Sequence, residues 1–244
     1  MFVLPHLREK LFHATLEENF VFHIYNRSNN SEVIFPNNAN CLYFMSKLNY
    51  YLGGFLNLYA YCLLPNHFHL LVQIKSKEEI LINLKSKKRH DITLSKKEKD
   101  FLSDPHSDNI PLLISSQFRR FFIAYSQMFN KMYGRHGSVF QKPFKRLLVV
   151  NPEYMNYLLY YIHTNPQKHG LVDDFREWAW NSYHAYEGYS QPWLNTFEPT
   201  TWFENREALL AYHQQGPYGV KPIPESWLEG DTVHPTTSDI PVLD

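Results

Sequence analysis

Two histidines inside an apolar run constrain this chain more than any other feature. His67 and His69 lie in a stretch that is otherwise mostly apolar from residue 61 to residue 72. Pro65 and Asn66 precede them and are typical of a turn, so the pattern predicts a hairpin with strands over 58–64 and 67–74. Side chains two positions apart on a strand share one face, about 6.5 Å apart along the chain. Both imidazoles are therefore expected on the same face.

A metal site competes here with simpler interpretations. A single histidine in a strand is most often a partly buried ring with a hydrogen-bond partner, but two on one face of a buried strand would each need a polar partner in the core. The His-x-His-x-Asp pattern of metal hydrolases is another alternative, and Leu71 stands where its aspartate belongs. Since two neutral imidazoles make half of a metal site, the pair favours metal binding.

The remaining periodicity predicts a mixed chain. Alternating apolar residues indicate strands, and apolar residues at intervals of three and four indicate helices. The predicted elements are, in order, a strand over 20–27, a helix over 37–52, the hairpin, a helix over 112–135, a strand within 138–150 and a helix over 154–164 that stops before Pro166. Residues 75–111 are rich in lysine, and we expect them to form a solvated, mobile loop outside the core.

Charge is unevenly distributed along the chain. The formal net charge is zero, yet residues 1–190 hold 22 basic against 16 acidic side chains, and residues 191–244 hold two against eight. This predicts a basic body and an acidic tail, with a helix around 202–212 followed by an extended, proline-rich end. Cys41 and Cys62 have the apolar surroundings of buried thiols. Without a signal core or an apolar run long enough for a bilayer, a cytoplasmic protein is expected.

Cationic residues alternate with aromatic ones near the fourth strand. Phe140 and Phe144 alternate there with lysine and arginine, a mixture that suits single-stranded nucleic acid because phosphates need charge and unstacked bases need a platform. The alternative is that these basic side chains face solvent and bind no nucleic acid. The candidate DNA-binding residues are Arg119, Arg120, Lys142, Lys145 and Arg146.

The last predicted helix places a tyrosine and an amide together. Tyr161 and Asn165 are four residues apart, so they lie on one helix face about 6 Å from each other. They are suited to act as a nucleophile and a ligand. An aromatic packing stripe with Asn165 as a terminal cap is the alternative, and physical chemistry alone favours it.

Three stretches, in this order and spacing, resemble the single-tyrosine HUH transposases and in particular the REP-associated tyrosine transposase branch. They are 61–72 with Leu-Pro-Asn-His-Phe-His at its centre, 137–145, and 161–166 with Gly-Leu-Val and Trp-Asn-Ser-Tyr shortly after. The resemblance implies an α+β fold, a ferredoxin-like βαββαβ sandwich with an antiparallel sheet. The expected organisation is a lead-in over 1–19, a catalytic domain over 20–188 that contains the basic insertion over 75–111, and an acidic C-terminal extension over 189–244.

The resemblance also implies roles for individual residues. His67, His69 and Asn165 match the ligands of Mg²⁺ or Mn²⁺, although related branches place glutamine at the third position, and Tyr161 matches the nucleophile. The implied reaction cleaves single-stranded or hairpin DNA through a 5′-phosphotyrosine and rejoins it without a nucleotide cofactor. The implied state is a monomer or a homodimer in a bacterial cytoplasm, at the nucleoid when bound to DNA.

Two other functions are left open by the residues. A domesticated protein of this fold that binds nucleic acid without cutting it would form no covalent link to DNA. A hydrolytic metal nuclease that uses activated water would keep cutting after Tyr161→Phe.

Overall fold

The computed structural model describes residues 14–217 and is built around one four-stranded antiparallel sheet. The strands are β1 (Val21–Arg27), β2 (Leu56–Leu64), β3 (His67–Ile74) and β4 (Lys145–Val149), in the spatial order β2-β3-β1-β4. The helices are α1 (Asn38–Leu52), α2 (Lys77–Arg89), α3 (Lys96–Ser103), α4 (Ile110–Tyr133), α5 (Pro152–Lys168), α6 (Tyr183–Glu187), α7 (Phe197–Thr201) and α8 (Arg206–Gln215). Short 3-10 turns occupy 29–31, 107–109 and 175–177.

The predicted α+β fold is confirmed. The elements that form the sheet and its main helices follow the order β1-α1-β2-β3-α4-β4, which is βαββαβ, with α2 and α3 inserted between β3 and α4 and with α5 to α8 after β4. Every strand pair is antiparallel. β3, the strand with the two histidines, is central because it pairs with both β2 and β1. Pro65 and Asn66 form the hairpin turn between β2 and β3, where the sequence predicts it.

The two faces of the sheet are covered by different helices. Phe68, Leu70 and Val72 of β3 belong to the core cluster that contains the apolar side chains of α1 and α4. Leu71 belongs to a second cluster, with Leu158 and other apolar residues of α5. Since strand side chains alternate, His67 and His69 share the face of Leu71 and lie toward α5.

The expectation of a mobile loop over 75–111 is wrong, because this segment forms α2 and α3. Each of the two helices begins with a capping box, Ser76 with Glu79 and Ser95 with Glu98. Ile80 and Leu84, one turn apart on α2, are buried in the core. Most of the lysines of these helices are exposed, and their number hides the sparse apolar stripe that packs inward.

The predicted end of the last helix before Pro166 is also wrong, since α5 continues to Lys168. Proline lacks the N–H that an interior helical position donates. The helical bond pattern nevertheless resumes beyond it, where His169 N donates to the carbonyl of Asn165 (3.0 Å). The segment from Tyr157 to Pro166 is almost wholly buried, so tertiary packing outweighs the local break.

Within the C-terminal extension, α8 docks onto α5. Asn205 caps α8, so this helix begins later than the helix predicted around 202–212. Its Leu209 is fully buried in the same cluster as the apolar residues of α5. Residues 1–13 of the lead-in and the proline-rich end over 218–244 lie outside the described residues. From residue 14 to residue 217, no helix has both the length and the apolarity that crossing a membrane requires.

A chain of hydrogen bonds joins α8 to the sheet. Tyr61 N donates to Ser182 Oγ (2.9 Å), which lies 2.8 Å from His163 Nε2 on α5. His163 Nδ1 lies 2.9 Å from His213 Nε2, and His213 Nδ1 donates to the carbonyl of Leu209 (2.9 Å). Every ring nitrogen in this chain has a partner if Ser182 donates to His163 and His163 donates to His213, with both imidazoles neutral.

Candidate functional site

The packing of α5 on β3 brings the predicted tyrosine to the predicted histidines. The ring of Tyr161 meets the ring of His69 edge-on, with 5.7 Å between centroids and an interplanar angle of 90°. The rings of His67 and His69 lie 5.3 Å apart. Tyr161 and His69 are fully buried and His67 is 6% exposed. The site is therefore formed by a strand and a helix that are both rigidly packed in the core.

Asn165 lies on the helix face that covers the histidines. Four residues before it, Tyr161 contacts His69, and four residues after it, His169 contacts His67 with 5.0 Å between ring centroids. Residues spaced by four share one face of a helix, so Asn165 occupies the position between these two contacts. Its side chain is fully buried, and neither amide atom has a hydrogen-bond partner among residues 14–217.

Hydrogen bonds orient the two histidines of β3. His67 Nδ1 donates to Asn66 Oδ1 (2.7 Å), because an amide oxygen can only accept. His69 Nδ1 lies 2.9 Å from Nε2 of His23 on β1, and the planes of the two rings differ by 15°. Within the described part of the chain, His69 Nε2 is buried and has no hydrogen-bond partner.

Burial keeps His69 and its neighbour His23 neutral. Desolvation lowers the pKa of His69 well below its ordinary value, and the neighbouring His23, His67, His169 and Arg27 lower it further. Desolvation alone lowers the pKa of His23 to about 3. Neutral imidazole is the form that binds a metal ion, so His69 needs no deprotonation to act as a ligand.

The residues present fit a hard divalent cation. His67 and His69 offer ring nitrogens, and Asn165 offers an amide oxygen that lacks a protein partner. Between residues 14 and 217, no three His, Cys, Asp or Glu side chains are grouped so as to hold a metal ion. The buried amide oxygen of Asn165, which lacks a partner among the described residues, fits the role of a third protein ligand. Amide oxygen suits Mg²⁺ or Mn²⁺, and imidazole nitrogen is a softer donor that binds first-row divalent cations.

Three residues of the site do not follow from the sequence analysis. His23 contacts His69, His169 contacts His67, and Lys168 lies with its Nζ 4.6 Å from the centroid of the Tyr161 ring. The spacing 161-165-169 would have indicated His169 once the helix was extended through Pro166. No local signal identifies His23, because its role depends on the pairing of β1 with β3.

Two of the five candidate DNA-binding residues line one groove. Arg119 of α4 and Lys142 of the loop before β4 border a cavity of about 570 Å³. Aromatic side chains complete the wall, and none of the lining residues is acidic. The aromatic lining residues are Phe122, Phe140 and Phe144.

The other three cations lie elsewhere. Arg120 donates to Glu98 Oε2 (3.2 Å), and Arg146 Nε donates to the carbonyl of Ala14 (2.7 Å), so both bind protein groups. Lys145 is exposed on β4, where it pairs with Tyr25. Since Tyr25 in turn pairs with His69, Lys145 is on the sheet face that carries the histidines.

A ferredoxin-like sheet with two histidines on its central strand and a tyrosine on the covering helix resembles the single-tyrosine HUH transposases. No protein-family model matches the chain. A curated Haemophilus influenzae protein named "Putative REP-associated tyrosine transposase" is 27% identical over 127 residues, which are 51% of this chain and 57% of that protein. The alignment therefore covers little more than half of the relative. A solved structure of the REP-associated tyrosine transposase bound to a REP hairpin matches with a TM-score of 0.49 and 14% identity, over 75% of this chain and 92% of that chain.

Proposed function

We propose that this protein is a metal-dependent DNA strand transferase that cleaves and rejoins single-stranded or hairpin DNA through a phosphotyrosine link. The observation that carries the proposal is the contact of Tyr161 with His69, beside His67 and Asn165. The curated relative, which is named a transposase, supports the same reaction class. Such a reaction belongs in the bacterial cytoplasm, where the DNA is.

In the proposed site, His67, His69 and Asn165 hold Mg²⁺ or Mn²⁺. When bound, this cation would polarise a nonbridging oxygen of the scissile phosphate and offset its developing charge. Tyr161 supplies the nucleophile: its phenolic oxygen bonds to phosphorus, and the bond from phosphorus to the 3′ oxygen breaks. The phenol loses its proton and the 3′ oxygen gains one. The 5′ end stays on Tyr161.

Rejoining reverses the same exchange. A 3′ hydroxyl attacks the phosphotyrosine, a phosphodiester forms again, and Tyr161 regains its proton. One phosphodiester replaces another, so the reaction needs no nucleotide cofactor. Because Tyr161 is fully buried and Lys168 lies over its ring, the incoming phosphate has to displace side chains at this position.

A covalent-adduct assay tests the proposal. Labelled hairpin DNA from the flanks of the gene is incubated with protein and Mg²⁺ or Mn²⁺ and resolved on a denaturing gel. We expect an adduct with the wild type and none with Tyr161→Phe or His67→Ala. Tyr157→Phe is the matched control, because Tyr157 stacks on Tyr161 one turn away on the same helix and lacks the proposed role. Cleavage that survives Tyr161→Phe would instead indicate a hydrolytic nuclease.

The burial of Tyr161 favours a second candidate function, a protein of this fold that binds DNA without cutting it. That protein would retain the basic groove and would never expose the phenol to a phosphate. Tight, salt-dependent DNA binding with no adduct on any substrate, in the presence of either metal, would support it over the transferase.

A further inference from the structure

His23 is a fully buried histidine that contacts the site without belonging to the predicted ligand set. It lies on β1, which pairs with β3 so that Tyr25 is opposite His69, and His23 reaches His69 diagonally. The planes of the two rings are nearly parallel, with 5.1 Å between centroids and 15° between planes. His23 Nε2 and His69 Nδ1 are 2.9 Å apart.

Only one of the two rings can donate in this hydrogen bond. If His23 donates, His69 Nδ1 is the acceptor and its Nε2 carries the proton, which leaves no lone pair for a cation. If His69 donates from Nδ1, its Nε2 holds the lone pair. That nitrogen is the buried one that lacks a hydrogen-bond partner in the described part of the chain.

We propose that His23 is a positioning residue that accepts the Nδ1 proton of His69 and thereby reserves His69 Nε2 for the divalent cation. The proposal rests on the metal site of the proposed function. The neighbouring histidine supports the proposal, because His67 also donates from Nδ1 to a protein acceptor, Asn66 Oδ1. Both imidazoles of β3 are then held through Nδ1 by acceptors of the protein, which is the usual arrangement behind metal-bound histidine.

The edge contact with Tyr161 gives His23 a second structural role. Its ring lies 6.2 Å from the Tyr161 ring at an angle of 79°. His23 therefore lies against the nucleophile on the side of β1, and its hydrogen bond to Nδ1 orients the ring of His69. Replacing His23 changes the orientation of His69, whereas the three proposed metal ligands, His67, His69 and Asn165, all remain.

The test compares two substitutions of His23. His23→Phe keeps a ring of similar size and removes the acceptor, and His23→Gln restores an acceptor near the position of Nε2. Long-range ¹H–¹⁵N NMR of the metal-free protein reads the tautomer of His69, and calorimetry measures the affinity for Mn²⁺. We expect the Nδ1–H tautomer in the wild type, its loss in His23→Phe with about 10- to 100-fold weaker Mn²⁺ binding, and partial recovery in His23→Gln.

His213→Phe is the matched control, since it removes the acceptor of the other buried histidine pair, His163 with His213. We expect unchanged Mn²⁺ affinity in that variant. An Nε2–H tautomer of His69 in the wild type would overturn the proposal, and so would unchanged Mn²⁺ affinity in a folded His23→Phe protein. A wild type that binds no Mn²⁺ would contradict the metal site itself, and the NMR tautomer would still decide whether His23 is the acceptor.

Discussion

At the scale of single residues, the side chain of Asn165 is unusual because both of its polar atoms are buried without a hydrogen-bond partner among the described residues. A buried donor or acceptor that is left unsatisfied costs about 1–3 kcal/mol. Asn165 has two such atoms within the described residues, whereas the equally buried Asn181 donates to the carbonyl of His163 and accepts from Tyr183 N. The first arrangement is expected where a ligand supplies the missing contact, and the second is an ordinary structural amide.

This contrast predicts opposite effects of the same substitution. Asn165→Leu replaces the unpartnered amide by an apolar group of similar size, so we expect the free energy of unfolding of the metal-free protein to rise by about 1 kcal/mol. Mn²⁺ binding should weaken at the same time. Asn181→Leu should lower the free energy of unfolding, because the backbone carbonyl of His163 loses its hydrogen-bond donor. Urea denaturation and calorimetry measure both quantities, and a loss of stability in Asn165→Leu would contradict the prediction.

At the scale of elements, the helix α8 is held to α5 by a buried histidine pair, His163 with His213. Burial lowers the pKa of His213 to about 4, against the opposing effect of the nearby carbonyls of Leu209 and Leu159. Burial, followed by His213 and His184, lowers the pKa of His163 as well. Protonation of one ring places a charge in the apolar core, and protonation of both rings leaves two donors facing each other.

The sign of the resulting pH dependence follows from linkage. The pKa of His213 is lower in the folded state than in the unfolded state, so the unfolded chain binds more protons as the pH falls below about 6.5. The contribution of His213 to the free energy of unfolding is therefore fully present above that pH and is lost progressively toward pH 4. We expect His213 to contribute a loss of about 2 kcal/mol between pH 7 and pH 5. Chemical denaturation at both pH values should show a smaller loss in His213→Gln, and equal losses would exclude His213 as the cause.

How far the sequence predicts each element depends on whether its signal is local. The hairpin of β2 and β3 follows from Pro65-Asn66 and from a period of two, and Tyr161 and Asn165 share a face because of helical spacing alone. α2 and α3 were missed because lysines outnumber their few buried positions, although Ser76 with Glu79 marks a capping box. His23 could not be assigned, since its contact with His69 spans 46 positions and exists only through strand pairing.

At the scale of the whole molecule, the basic groove and the histidine site lie on opposite faces of the sheet but meet at one end of it. Asn26 lines the groove, and the next residue, Arg27, pairs with His67 where β3 begins. A DNA strand bound at both places would pass around this end of the sheet. The excess of basic side chains in residues 1–190 supports such a path, because phosphate contacts supply most of the affinity for nucleic acid.

The groove should therefore control DNA affinity without taking part in the chemistry. Arg119→Ala and Lys142→Ala should each weaken binding of single-stranded DNA and reduce the dependence of log K on log salt by about one counterion. Lys131→Ala is the matched control, since Lys131 is exposed on the same helix as Arg119 and does not line the groove. Fluorescence anisotropy over a salt series measures these slopes. At saturating DNA, both groove variants should form the Tyr161 adduct at the rate of the wild type, because they lose binding of substrate and transition state equally. If Lys131→Ala changed the DNA affinity and the salt slope as much as Arg119→Ala, the effect of Arg119 would come from the overall positive charge of the protein. The groove would then have no specific role in DNA binding.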